Sequence, residues 1–222
     1  MALGLRLDVV ALPPLGELAL GPAAWPVSVL FLVWTANVFN FMDGMDALAA
    51  GSGVLFCAGY VVWGVQAAPA LAVLALGLGG GFLGFLRDNR PPARIFMGDG
   101  GSLFAGALLG GLALAFATPG IAVPIAAPVV LMGTFLWDAT YTIIRRFLRG
   151  DPMLPHRTHI FQRLALSGWS HARVRAVYFG LAALYLAGAL ALARGPAGLQ
   201  ALVIGVALLA SLILAGLAER RP

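Results

Sequence analysis

Two long apolar segments meet at Asn37-Val38-Phe39-Asn40-Phe41-Met42-Asp43-Gly44-Met45-Asp46. Two amides and two carboxylates recur there at every third residue, and polar groups so deep in an apolar sequence are costly unless they pair, bind an ion or do chemistry. Their oxygens are also the ligands that a hard cation such as Mg²⁺ prefers. The stretch therefore predicts a membrane-embedded site for an anionic, metal-bound substrate.

This stretch must break as a helix if its polar residues are to face one ligand. On a helix of about 3.6 residues per turn, four positions spaced by three residues spread over about half of the circumference. A break at Gly44 would leave the amides on the end of one helix and Asp46 at the start of the next. The alternative is structural: Asn37 and Asn40 would join helices, and Asp46 would cap the second helix.

The composition predicts an all-α, polytopic transmembrane helical bundle. Hydrophobic residues make up 61% of the 222 residues and charged residues only 10%, whereas a soluble domain has about 25% charged residues. The single cysteine, Cys57, lies in an apolar run and excludes a disulfide framework. All 14 basic residues are arginines that lie between apolar segments. Membrane topology explains such arginines better than nucleic-acid binding does.

Seven apolar runs approach the length of about 20 residues that spans a bilayer. Residues 24–222 are therefore expected to form a single transmembrane domain. Residues 1–23 do not have the pattern of a signal peptide, and we expect a short external segment that contains a β-hairpin turning at Pro13-Pro14. The expected spans are 24–42, 47–66, 69–86, 102–118, 121–143, 176–194 and 198–217.

The arginines predict the orientation of these spans. Twelve of the 14 lie in the segments 87–101 and 144–175 or in the C-terminal tail, which the positive-inside rule assigns to the cytoplasm. With seven spans, the turn at 43–47 falls on the same side. Every polar cluster of the chain would then face one compartment, which favours a multi-pass membrane protein with a cytoplasmic site.

A second polar motif, Arg94-Ile95-Phe96-Met97-Gly98-Asp99-Gly100-Gly101-Ser102, precedes the fourth expected span. Its glycines allow close approach of the backbone to a ligand, and a helix start attracts phosphate. Asp99 could hold a metal that bridges the phosphate. The motif is not a Walker A loop, because the chain has no lysine. The alternative is that Asp99 or Ser102 caps the helix.

A third motif is Pro155-His156-Arg157-Thr158-His159-Ile160-Phe161-Gln162-Arg163-Leu164. Zinc is not expected, because no nearby cysteine or acid completes a ligand set. Arginine and histidine together suit a diphosphate, whereas the alternative is an amphipathic loop on anionic lipid headgroups. Upstream, Asp138 is either a site residue or a partner of Arg145, and the second interpretation is favoured.

The three motifs, in this order, resemble the polyprenyl-phosphate glycosyl-1-phosphate transferase family, which includes the phospho-MurNAc-pentapeptide transferase of peptidoglycan synthesis. The similarity extends from about residue 24 to about residue 178 and also includes Gly168-Trp169-Ser170-His171. The histidine loop looks more like that of the O-antigen and capsule branch, since the loop of the peptidoglycan enzyme is richer in histidine.

The resemblance implies a reaction in the bacterial inner membrane. An oxygen of polyprenyl (undecaprenyl) phosphate attacks the β-phosphate of a UDP-N-acetylamino sugar and UMP leaves, with Mg²⁺ offsetting the diphosphate charge. By similarity, Asp99 is the main metal ligand and Asn40 its partner, and Asp43 and Asp46 position the nucleotide sugar and the lipid phosphate. His159 belongs to the catalytic set with these aspartates. The residues expected to bind substrate are Asn37, Asn40, Arg94, His156 and Arg157.

The chain departs from the family in one serious respect. Relatives carry an adjacent pair of acidic residues in an earlier cytoplasmic loop, whereas only Asp8 and Glu17 precede Asn37 here. We therefore expect a chain that lacks an N-terminal part and that, alone, inserts in the membrane without transferring sugar phosphate. A homodimer or a partner chain could supply the missing spans. The alternatives are a non-catalytic module that binds polyprenyl phosphate or a partner subunit, and a transporter, although no internal repeat supports the latter.

Overall fold

A computed structural model of the protein describes residues 5–12, 16–121, 123–151 and 157–220. Within these residues the chain is almost entirely helical, with one short β-hairpin, so the expected all-α bundle is confirmed. A 3-10 turn, Gly21–Ala23, leads into the first helix. The helices are α1 (Ala24–Met42), α2 (Leu48–Ala67), α3 (Pro69–Asn89), α4 (Gly98–Phe116), α5 (Ala126–Leu131), α6 (Gly133–Arg149), α7 (Ile160–Leu166), α8 (His171–Arg194) and α9 (Ala197–Glu219).

Six helices in the described part of the chain are long and apolar enough to cross a membrane, namely α1 to α4, α8 and α9. The expected continuous span at 121–143 was wrong. The backbone leaves helical geometry at Met132, with φ −89° and ψ 10°, and this separates α5 from α6. Gly133 follows the break and packs tightly, because a Cβ there would lie 2.8 Å from the ring of Tyr185.

Together, α5 and α6 still connect the two ends of the bundle. α5 contacts the strand Val9–Leu12 of the hairpin at one end, while Arg145 near the end of α6 pairs with Glu219 at the end of α9. The amphipathic character of α6 explains why it does not count as an apolar span: Asp138 and three arginines lie within its 17 residues.

The hairpin consists of antiparallel strands β1 (Val9–Leu12) and β2 (Gly16–Ala19), in which Val9 pairs with Ala19 and Leu12 with Gly16. The amide of Leu7 donates to Ser28 Oγ at 2.8 Å and joins the hairpin to α1. The predicted hairpin is therefore present. Its expected turn at Pro13-Pro14 lies outside the described residues, and its external placement stays a prediction.

Close packing of α1 on α4 brings two of the motifs together. Gly106 and Gly110 of α4 face α1, and a Cβ on Gly110 would lie 2.1 Å from Thr35 Oγ1. Small residues of this kind allow transmembrane helices to approach closely. Deeper in the bundle, the ring of Phe39 lies 5.8 Å from the ring of Phe135 on α6, so α1 is held between α4 and α6.

The polar segments expected on one side do meet at one end of the bundle. Asn40 at the end of α1 bonds Asp99 at the start of α4, and Phe41 contacts His159 before α7. The loops expected at 87–101 and 144–175 are shorter than predicted. α3 continues to Asn89, α6 continues to Arg149, and α7 lies within 144–175. The side of the membrane on which this end lies stays a prediction.

Candidate active site

The first and second motifs are joined by the side chain of Asn40. Its Nδ2 donates to Asp99 Oδ1 at 3.0 Å and to Ser102 Oγ at 2.8 Å. The Ser102 hydroxyl donates in turn to the carbonyl of Gly98, at 2.8 Å. Ser102 is buried, whereas Asp99 is exposed in the first turn of α4. The link therefore fixes the position of Asp99 while its carboxylate stays open to a ligand.

The expected break near Gly44 is confirmed. α1 ends at Met42, Asp43 departs from helical geometry with φ −81° and ψ 41°, and Ala47 adopts a left-handed conformation with φ 62°. Asp46 does not cap α2, because the residue at the cap position is Ala47. Instead, Asp46 Oδ2 accepts a hydrogen bond from the amide of Ala93 at 3.1 Å. The turn at 43–47 is thus bound to the segment between α3 and α4.

Asn89, which the sequence reasoning missed, completes this connection. Its Oδ1 accepts from the amide of Ala47 at 2.9 Å, and its Nδ2 donates to the carbonyl of Ile95 at 2.9 Å. Asn89 is almost fully buried. The available signal was a lone amide side chain at the end of an apolar run, beside the basic loop.

The carboxyl group of Asp43, on the turn at 43–47, is partly buried. Burial raises the pKa of Asp43 from 3.8 to about 6, because the charged form loses solvation. A cation beside it would favour the charged form and oppose this shift. Asp43 is therefore suited to a place where positive charge arrives with a ligand.

The third motif contacts the first through α7. The imidazole of His159 lies 5.6 Å from the ring of Phe41, measured between centroids. A Cβ on Gly44 would lie 3.1 Å from Cζ of Phe161, so the start of α7 rests against the turn. His159 is buried and Arg157 is exposed. The expected site residue His156 lies outside the described residues.

The prediction that Asp138 pairs with Arg145 was wrong. Arg145 pairs with Glu219, with 2.6 Å between Nε and Oε1. Asp138 Oδ1 instead accepts from the amide of Ile160 at 2.8 Å and lies 3.2 Å from His159 Nδ1. Two turns of helix put Asp138 and Arg145 on similar faces of α6, but α7 covers the first and α9 reaches the second.

Two expected substrate-binding residues are not brought into this cluster by the contacts of their side chains. Asn37 Nδ2 donates to the carbonyl of Val33 at 2.7 Å, one turn back on its own helix. Arg94 is exposed, and its backbone amide donates to the carbonyl of Asp88 at 2.7 Å. Their roles in binding stay predictions.

The donor set fits a magnesium ion that shares its ligands with a substrate. Among the described residues, no group of three or more histidine, cysteine or acidic side chains converges as a metal site. However, Mg²⁺ is usually bound by one or two carboxylates together with water and substrate phosphates. The exposed carboxylate of Asp99, with the amide oxygen of Asn40 beside it, matches that chemistry.

Comparison with known proteins identifies the family of the chain. The model of "Glycosyl transferase family 4" matches residues 1–117. Over 196 residues the chain is 35% identical to a phospho-N-acetylmuramoyl-pentapeptide-transferase of Synechococcus elongatus, a match that covers 82% of this chain and 50% of the relative. Over 172 residues it is 38% identical to a probable undecaprenyl-phosphate N-acetylglucosaminyl 1-phosphate transferase of Bacillus subtilis, covering 76% and 48%.

A phospho-N-acetylmuramoyl-pentapeptide-transferase of a Synechococcus species is 42% identical over 186 residues, with 79% of this chain and 52% of the relative covered. The chain thus spans about half the length of the curated relatives it matches. The resemblance that the three motifs carry is confirmed, and the chain belongs to glycosyl transferase family 4.

Proposed function

We propose that this chain provides the metal and diphosphate side of a phospho-sugar transferase site. The reaction would transfer an N-acetylamino-sugar 1-phosphate from a UDP-sugar to undecaprenyl phosphate and release UMP. The observation that carries the proposal is the bond from Asn40 to Asp99, which fixes an exposed carboxylate beside the first motif. The relatives' names support it, since they specify transfer of phospho-N-acetylmuramoyl-pentapeptide or of N-acetylglucosamine 1-phosphate.

The residues of the site would have different binding roles. Asp99 and Asn40 would hold Mg²⁺, which when bound supplies positive charge against the diphosphate. Asp43 and Asp46, on the turn beside them, would position the nucleotide sugar and the lipid phosphate. Arg157 is exposed next to the start of α7, and with His156 and His159 it would bind phosphate oxygens through charge-assisted hydrogen bonds.

The sugar is proposed at the level of a UDP-N-acetylamino sugar. The His156-Arg157-Thr158-His159 loop favours a substrate of the N-acetylglucosamine type, as expected for the O-antigen and capsule branch. The names of several relatives favour a peptidoglycan precursor instead. Parallel assays with UDP-GlcNAc and UDP-MurNAc-pentapeptide decide between them.

The assay uses the protein in lipid nanodiscs with radiolabelled UDP-sugar, undecaprenyl phosphate and Mg²⁺. It is run with the protein alone and with the N-terminal half of the Bacillus subtilis relative co-produced. We expect a radiolabelled lipid product and UMP in at least the second arm, and loss of both when Mg²⁺ is chelated. Absence of product in both arms, with either UDP-sugar, would contradict the proposed transfer.

A binding module without catalysis is the second candidate, and one observation favours it. The two acids that precede Asn37, Asp8 and Glu17, line a cavity with Ala117 and Pro119 at the far end of α4. That end is about 27 Å from Asp99, at about 1.5 Å per residue of helix. Neither acid can therefore serve as the acidic pair of the relatives. Binding of undecaprenyl phosphate or of the co-produced N-terminal half, without release of UMP in either arm, would select this candidate.

The orientation is proposed as well: the site would face the cytoplasm from a bacterial inner membrane. Single cysteines in a Cys57→Ala background test it, with Asp46→Cys, Asp99→Cys and Arg157→Cys expected to react only when the cytoplasmic side is accessible. Glu17→Cys, on the exposed strand β2 at the other end, is the matched control and should react from outside. Labelling of any of the first three from outside would overturn the orientation.

A further inference from the structure

Asp138 is a fully buried carboxylate that the proposed chemistry does not use. Its Oδ1 accepts from the amide of Ile160 at 2.8 Å and from the Thr142 hydroxyl at 3.3 Å. Its Oδ2 accepts from the amide of Phe161 at 3.1 Å and from the Tyr178 hydroxyl. A buried carboxylate is tolerated only when such donors replace its water. Protein donors therefore reach both oxygens of this carboxylate, and both oxygens act as acceptors.

The fifth group beside Asp138 is the imidazole of His159, whose Nδ1 lies 3.2 Å from Asp138 Oδ1. Because both oxygens of Asp138 already accept from other donors, we assign the proton of this hydrogen bond to Nδ1. In a neutral imidazole this leaves Nε2 as the acceptor nitrogen. The partner of one ring nitrogen thus decides the state of the other.

The groups bound by Asp138 lie directly behind the site. His159 contacts Phe41, and Phe161 is the residue that a Cβ on Gly44 would meet. The same segment is tightened by the amide of His159, which donates to Gln162 Oε1 at 3.2 Å. Any shift of the start of α7 would therefore move the surface against which the turn carrying Asp43 rests.

We propose that Asp138 is the positioning residue of the site, which fixes His159 as the Nδ1–H tautomer and holds the start of α7 against the turn at 41–44. The inference deepens the proposed function and rests on it for its effect on turnover. Partners that orient a functional histidine typically change activity by about 10- to 100-fold when removed. An ordinary structural anchor would bind α7 without selecting a tautomer of His159.

The experiment reads the tautomer directly, by ¹⁵N NMR of histidine-labelled protein in nanodiscs at pH 8. His156→Gln and His171→Gln variants assign the three histidines of the chain. We expect His159 as the Nδ1–H tautomer in the wild type, and mainly as Nε2–H in Asp138→Ala, where the acceptor is gone. Tyr178→Phe is the matched control, because it removes one donor to Asp138 but keeps the contact with His159, and it should leave the tautomer unchanged.

Release of UMP, measured with the N-terminal half of the Bacillus subtilis relative co-produced, is the second readout. We expect at least a tenfold loss in Asp138→Ala and less than a threefold loss in Tyr178→Phe. If Asp138→Ala does not fold, the wild-type spectrum still decides, since an Nε2–H tautomer or a doubly protonated ring for His159 would overturn the inference. An unchanged tautomer in folded Asp138→Ala would overturn it too. A tautomer that changes as expected in a protein without turnover would support the positioning role and count against the proposed function instead.

Discussion

The two sides of the polar end of the bundle use their carboxylates in opposite ways. Between α1 and α4, Asp99 is exposed, and the amide of Asn40 holds it in place without covering it. Between α6, α7 and α9, Asp138 and Glu219 are occupied by donors from the protein itself. The difference separates an open side, between α1 and α4, where a carboxylate can meet a ligand, from a closed side, between α6, α7 and α9, where the carboxylates bind groups of the protein itself.

Asp99→Asn should have the largest effect on the open side. Loss of one anionic ligand of a hard cation removes about 3 kcal/mol or more of transition-state stabilisation, which corresponds to at least about a 100-fold loss of Mg²⁺-dependent UMP release. Folding should be preserved, since the side chain keeps its size. The measurement is the initial rate of UMP release over a range of Mg²⁺ concentrations, with the N-terminal half of the Bacillus subtilis relative co-produced.

The matched control for this change is Asp88→Asn, which removes the same charge from the last turn of α3 near the same loop. It should leave the rate within about twofold, because surface charges contribute little. Near-normal turnover of Asp99→Asn at ordinary Mg²⁺ would mean that Asp99 is structural, and the contrast between the two sides would fail.

Asn40→Ala and Asn37→Ala form the next comparison, within one helix. Asn40 bonds Asp99 and Ser102 on α4, so its loss should lower UMP release by about 10- to 100-fold. Asn37 bonds only the backbone of its own helix among its described contacts, so its loss should cost less than about threefold. Equal losses of UMP release in the two variants would support the prediction from the sequence that Asn37 binds substrate.

Glu219→Gln tests the ion pairs of the closed side, and we expect it to lower stability and to leave turnover unchanged. Glu219 pairs with Arg145 and Arg163, whose side chains are only 14% and 15% exposed, and accepts from the Tyr141 hydroxyl. Leaving two shielded arginines without this charge should lower the free energy of unfolding by about 1–3 kcal/mol. Thermal unfolding in detergent, followed by tryptophan fluorescence, measures the change.

Glu17→Gln, on exposed strand β2, is the control and should leave the unfolding temperature nearly unchanged. UMP release by folded Glu219→Gln at low temperature should also stay near the wild-type rate. A large loss of turnover without a loss of stability would place Glu219 in the site and break the distinction between the two sides.

The open side was largely predictable from the sequence. Apolar runs predicted most helices to within a few residues, because length and hydropathy decide what can span a bilayer. The spacing of the polar residues predicted the break near Gly44, since a continuous helix would scatter them. Asn40 and Asp99 could be expected to meet, because Asn40 lies near the end of one apolar run and Asp99 near the start of another, both at the same predicted side of the membrane.

The closed side was not predictable in the same way. The run at 121–143 is apolar on average, and hydropathy does not reveal that the backbone leaves helical geometry at Met132. Arg145 has Asp138 at a helical spacing, yet its partner is Glu219, 74 residues away in the chain. Such a choice depends on how α7 and α9 pack, and that is decided by tertiary contacts that no local pattern contains.

Asp43→Asn should give the smallest effect, which is a change in how stability depends on pH. It tests whether a carboxylate of the open side is partly desolvated, as expected at a site that binds a cationic ligand. Burial raises the pKa of Asp43 from 3.8 to about 6 in the folded protein. Between these two values the folded state binds more protons than the unfolded state, so stability falls as the pH rises through this window. Above about pH 6 the carboxylate is charged in the folded state although it is partly desolvated, so its contribution to stability is at its lowest.

Asp43→Asn should therefore remove part of the decline in unfolding temperature between pH 4 and pH 6, and it should stabilise the protein slightly at pH 7 in the absence of Mg²⁺. The difference between the two pH profiles gives the contribution of Asp43, because the two proteins differ only at this residue. Addition of Mg²⁺ with UDP-sugar should favour the charged form of Asp43 and shift the wild-type decline to lower pH. A profile that is the same in both proteins would show that Asp43 is solvated like a surface carboxylate. Asp43 would then contribute no partly desolvated charge to the open side.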